Sequence, residues 1–72
     1  IAQILAIIYY QQKEYQKAVK KMKLVLKFDP THILTHKLLI NINQQLKDRD
    51  IYDYQKNLIE EFQVPIDLPE TF

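Results

Sequence analysis

The chain contains no cysteine, no glycine and no serine. Without cysteine there can be no disulfide framework, no thiolate metal ligand and no cysteine nucleophile. Such a chain suits the cytoplasm or another reducing compartment. Without glycine there is no phosphate-cradling loop of the Walker or dinucleotide type. Without serine, hydroxyl nucleophiles reduce to three threonines, none with a base at motif spacing. Long apolar runs are also missing. The longest, residues 4–10, is far short of the roughly 20 residues a membrane span requires. No secretory or lipidation signal is visible. The sequence therefore reads as no enzyme, with no cofactor, no small-molecule substrate and no membrane span.

What is present is a 72-residue chain, enough for one small domain. Domains of that size bury only about 60% of their unfolded surface and are marginal alone. The chain opens on Ile1 rather than methionine, and is read as part of a longer array. Its charge is divided. Residues 1–28 hold six lysines against Glu14, a balance of +5, and residues 29–72 hold four basic side chains against eight acids, a balance of −4. Opposite-signed halves can orient a neighbour, although salt screens such attraction beyond about 8 Å.

The most informative stretch is residues 5–30. Leu5, Ala6 and Tyr9, with Ile8 beside them, predict one helix, and after a turn at Lys13 and Glu14 a second helix follows. The second carries Tyr15, Ala18, Val19, Met22, Val25 and Leu26 at three- and four-residue spacing, one face of a 3.6-residue helix. Small Ala6 and Ala18 suit a close antiparallel crossing. Phe28, Asp29 and Pro30 end the second helix, because proline lacks the N–H and disfavours helical geometry in the residue before it.

These residues, from Leu5 and Ala6 through Tyr9, Tyr15, Ala18, Met22 and Val25 to the Phe28-Asp29-Pro30 stop, give the stretch its family likeness. It resembles a tetratricopeptide repeat, a helix–turn–helix unit of about 34 residues. Two positions depart from the family pattern. Lys13 stands where glycine is usual, so the turn has to tolerate a side chain, and Ala2 replaces an aromatic. The resemblance implies an all-α fold of antiparallel helix–turn–helix pairs stacked as an α-solenoid. Residues 1–32 form one repeat, 33–64 a degenerate or capping repeat, and 65–72 an extended tail.

The later chain supports that division. Residues 31–47 read as a third helix with Thr31 as N-cap and packing from Ile33, Leu38, Leu39, Ile42 and Leu46. Asp48 and Arg49 form the next turn. Asp50 caps a fourth helix over 51–62, which packs through Tyr52, Leu58, Ile59 and Phe62. At a shift of 34 residues Leu5 returns as Leu39, Val25 as Ile59 and Phe28 as Phe62, whereas Tyr9 becomes Asn43, Ala18 becomes Tyr52 and Met22 becomes Lys56. A bulky Tyr52 at the small crossing position is expected to part or tilt the second helix pair. Pro65 and Pro69 exclude a helix in the tail. Ile66, Leu68 and Phe72 alternate with polar residues there, which leaves a docked strand and a disordered linker both open.

Residues 1–12 are apolar nearly all round, which predicts cover on more than one side, by an upstream repeat or by another subunit. The outer face of the second helix carries Lys17, Lys20, Lys21, Lys23 and Lys27. It reads as a solvated face; the alternative is a basic ridge for RNA or another anionic surface, although no aromatics interleave with these lysines as base stacking would need. His32 and His36 stand four apart but lack further ligands, so they read as solvated or interface histidines rather than a metal site. Asp48, Asp50 and Asp53 echo a calcium loop without its glycine or closing glutamate, and turn and cap duty accounts for them.

Binding to other protein subunits is what remains. The resemblance implies a concave groove lined by the first helix of each repeat, here Gln3, Ile7, Tyr10 and Gln11, then Lys37, Asn41, Gln44 and Gln45. A scaffold segment of a multi-protein assembly, holding a partner's peptide or helix, is the leading expectation. Lys37 and Asn41 also resemble part of the carboxylate clamp of co-chaperone adaptors, which keeps that role as an alternative.

Overall fold

The computed structural model describes residues 1–70, and among these every regular element is helical. Four helices follow one another: α1 (Ala2–Gln11), α2 (Tyr15–Phe28), α3 (Ile33–Leu46) and α4 (Arg49–Phe62). α1 lies along α2 most extensively, α3 touches both of them, and α4 packs on α3 over a short stretch. The molecule is only 16 Å across in its thinnest direction, the depth of two helix layers at the usual 8–10 Å spacing. Every helix is therefore open to water on at least one side. None among the described residues is long and apolar enough to cross a membrane.

Burial follows the helical phase of α2 closely. Ala18, Val19, Met22 and Leu26 are buried and join Ala6, Leu39, Ile42 and Ile51 in one core, with Tyr9, Tyr10, Tyr15, Leu38, Leu46, Tyr54 and Leu58 packed around it. Removing a large side chain such as Met22, Leu26, Leu39 or Ile42 from water contributes about 1.5–3 kcal/mol. α2 stops where proline demands it: Asp29 leaves the helix at φ −140°, and its N–H closes the last turn on the Val25 carbonyl at 2.8 Å.

The helix ends show how a chain without glycine turns. Lys13 adopts φ 60°, Lys47 φ 52° and Gln63 φ 53°, the left-handed region usually left to glycine. At Lys13 the Glu14 N–H reaches the Tyr9 carbonyl at 2.9 Å and the Lys13 N–H reaches the Tyr10 carbonyl at 3.1 Å. These are the paired bonds of a Schellman cap. Val64 repeats the longer bond to Ile59 at 3.0 Å behind Gln63 and is itself buried. The side chain that the α1–α2 turn has to tolerate is thus accommodated with a left-handed lysine.

Several local expectations are corrected. α3 begins at Ile33, and its N-cap is His32, not Thr31: His32 Nδ1 accepts from the Thr35 N–H at 3.3 Å and lies 2.7 Å from the Thr35 hydroxyl. Thr31 instead donates to the Asp29 carboxylate at 3.4 Å. α4 begins at Arg49 with Asp48 as its cap, accepting from the N–H groups of Asp50 (2.9 Å) and Ile51 (3.3 Å), so Asp50 is a first-turn residue. Asp48 is held in place by Asn43, whose amide oxygen accepts from the Asp48 N–H at 2.9 Å and whose amide nitrogen donates to the Asp48 carbonyl at 3.1 Å. The position that carries Tyr9 in the first hairpin therefore braces a loop in the second. Phe62 is exposed at the end of α4 and is not among the side chains packed on the core.

The second hairpin also differs in which face it turns inward. A shift of 34 residues aligns the left-handed turns, Lys13 with Lys47, but carries buried Val19, Met22 and Leu26 onto exposed Asp53, Lys56 and Glu60. α4 instead buries Ile51, Tyr52 and Gln55, a face displaced by about one residue, or roughly 100° around the axis. Tyr52 is buried with its hydroxyl toward the tail, and α3 and α4 meet less closely than α1 and α2. Beyond Gln63 the chain is irregular and turns back: Ile66, Leu68 and Pro69 are half-buried, and the Tyr52 hydroxyl donates to the Glu70 carbonyl at 3.4 Å. Phe72 lies outside the described residues.

Candidate partner-binding surfaces

α1 and α3 are neighbours, and each carries a row of polar residues away from the core. On α1 Gln3 and Gln11 are exposed and Ile7 is half-buried between them; on α3 Lys37, Asn41, Gln44 and Gln45 are all exposed. Helical spacing produces both rows: positions 3, 7 and 11, and positions 37, 41 and 44, each recur along one face. Tyr10 differs from its row. Its ring leans on Tyr15 at 6.2 Å and 50° and packs against the core. Among the described residues no enclosed pocket is present, and no three acidic or histidine side chains gather as a metal site would need.

The basic face of α2 is less separate from aromatic rings than the sequence suggests. Lys17 stands 5.8 Å above the Tyr9 ring, Lys23 stands 5.1 Å above Tyr54 on the second hairpin, and Lys27 stands 5.8 Å from Phe28. All three distances fall within cation–π range. Lys17 also meets Glu14 at 3.4 Å, an exposed pair of small energetic weight. Lys20 is exposed and Lys21 half-buried. Burial raises the Tyr54 phenol above its ordinary value, because ionising it would place a charge where water is partly excluded.

The histidines are structural. His36 is completely buried, contrary to the solvated or interface reading, and its Nε2 lies 2.7 Å from the Pro30 carbonyl. A carbonyl only accepts, so Nε2 carries the hydrogen and Nδ1 is left as an acceptor. The Gln55 amide nitrogen fills that role at 3.2 Å and also donates to the His36 carbonyl at 2.9 Å. The α2–α3 connection, α3 and α4 are thereby tied through two buried side chains. Gln55 Oε1 is buried without a partner among the described residues. Nothing in the composition distinguishes Gln55 from the other seven glutamines, but its phase does: it lies one turn from Ile51, on the side of α4 that faces inward.

Comparison with family models, with curated proteins and with solved structures gives no match to this chain. The tetratricopeptide likeness rests on the residues and spacings given above.

Proposed function

We propose that the chain is a non-catalytic interaction module, a tetratricopeptide-like pair of stacked helical hairpins within a larger multi-protein assembly, that holds a peptide or helix of a partner protein along α1 and α3. The observation that carries this reading is the α3 row. Lys37, Asn41, Gln44 and Gln45 are exposed, and among the described residues none of these side chains has a hydrogen-bond partner. Amides in that state can both donate to and accept from a peptide backbone, and Lys37 adds a positive charge for a carboxylate. Ile7 on the neighbouring helix supplies an apolar contact beside them.

Selection from a displayed random-peptide library, followed by affinity measurement on the purified chain, tests the reading. Replacing Asn41 and Gln44 together by alanine is expected to weaken selected peptides by roughly tenfold, the weight of one or two hydrogen bonds, while leaving the melting curve unchanged. Peptides that bind this double variant as well as the parent would refute the assignment.

A further inference from the structure

α2 carries five lysines and no acidic residue. On its outer face Leu24 stands among three of them. Lys20 and Lys21 lie one turn before it, Lys27 and Phe28 one turn after, at the three- and four-residue spacings that make side chains neighbours on a helix. Ala18, Val19, Met22 and Leu26, on the opposite face, enter the core. Leu24 and Phe28 are exposed, at 43% and 81% of their full surface; Lys20 and Lys27 are exposed and Lys21 is half-buried. Lys17 and Lys23 do not belong to this group, because they stand over the Tyr9 and Tyr54 rings. Among the described residues the ion pairs are Lys17 with Glu14 and Arg49 with Asp53, so Lys20, Lys21 and Lys27 have no carboxylate beside them. A solvated face accounts for the lysines, but not for a leucine and a phenylalanine left open in their midst.

We infer that this face of α2 rests on an anionic lipid surface, with Lys20, Lys21 and Lys27 at the headgroups and Leu24 and Phe28 entering the boundary beneath them. Helices that lie in that boundary present the same pairing, cations at headgroup level and leucine or phenylalanine deeper. The long lysine stems let the ammonium groups stay with the headgroups while the apolar side chains beside them go in. Each lysine near such a surface is worth about fivefold in affinity, so three supply on the order of a hundredfold, and burial of the two apolar side chains adds to it. Other anionic partners satisfy only part of the face. A nucleic-acid backbone would engage the lysines and give Leu24 nothing to bury against. An acidic peptide or helix needs walls, whereas this face is the ridge of a single helix and no pocket opens among the described residues. The α3 row takes no part, so lipid binding and peptide binding stand or fall independently.

Co-sedimentation of the 72-residue chain with vesicles tests this, phosphatidylserine mixed with phosphatidylcholine against phosphatidylcholine alone. The chain is expected to bind the phosphatidylserine vesicles at least about tenfold more tightly, and raised salt to release it, an arm that needs no variant. Lys20→Glu with Lys27→Glu is expected to lower that affinity by at least about twentyfold, and Phe28→Ser by roughly tenfold. All three positions are exposed, and an unchanged circular-dichroism melt shows that the fold survives. Equal binding to the two kinds of vesicle, binding that survives the double lysine variant, or a Phe28→Ser chain that binds like the parent overturns the proposal. So does tighter binding of oligouridylate or of polyglutamate that the double lysine variant loses, since either assigns the face to a different occupant.

Discussion

One amide nitrogen of Gln55 donates to two atoms of His36, the main-chain carbonyl at 2.9 Å and ring Nδ1 at 3.2 Å. Both side chains are completely buried. Gln55→Ala removes these bonds, leaves Nδ1 unpartnered and opens a cavity between α3 and α4. Chemical denaturation is expected to show a loss of about 2–3 kcal/mol. A change below roughly 0.5 kcal/mol would mean that the pair does not join the two helices.

The left-handed residues give a prediction of opposite sign. A residue with a β-carbon is disfavoured by about 1–2 kcal/mol in that region, and glycine escapes the clash. Lys13→Gly, Lys47→Gly and Gln63→Gly are each expected to raise stability by up to about 1 kcal/mol, seen as a higher urea midpoint at unchanged slope. Glycine at Gln12, which has φ −82°, is expected to lower it and serves as the control.

Ala18 is fully buried on the face that α2 turns inward, toward α1 and α3. Ala18→Leu forces three extra carbons into that close packing and is expected to destabilise by about 1–3 kcal/mol. A thermal melt that does not move would show the packing to be looser than this.

Tyr54 supplies the pH dependence. Burial raises its phenol above the ordinary value of 10.0. The unfolded chain therefore loses this proton first as pH rises, and above that value it binds fewer protons than the folded one. Stability from this group is whole below pH 10.0 and declines as pH climbs from there through the folded value. Tyr54→Phe is expected to make the alkaline decline shallower, measured as the difference in denaturant midpoint between about pH 9 and about pH 11.

The elements that local chemistry dictates were legible in the sequence. The inward face of α2 follows from the spacing of Ala18, Val19, Met22 and Leu26, its end from Pro30, and the strained α1–α2 turn from Lys13 at a glycine position. The exposure of Lys37, Asn41, Gln44 and Gln45 follows from the same helical phase. What was not legible depends on side chains distant in sequence. Asp48 and Asp50 are equivalent as caps until Asn43 grips the Asp48 backbone. His32 takes the cap because the Thr31 hydroxyl turns to Asp29. His36 reads as polar and solvent-facing until Gln55, nineteen residues on, arrives to satisfy it. Tyr10 could be assigned to a polar row only while its stacking on Tyr15 was unseen. The inward face of α4 is a rotation about the helix axis, which a 34-residue shift read from the returns of Leu5, Val25 and Phe28 does not reveal.

Only Lys47 and Asp48 connect α3 to α4, two helices that otherwise touch sparingly. Such a link would ordinarily be the place where a molecule bends. Asn43 prevents this by bridging both main-chain polar groups of Asp48, so that swinging α4 outward must first strip a carboxamide of both partners in a place that water barely reaches. The joint is thereby splinted from within, and α4 can tilt only by carrying its own entrance loop with it.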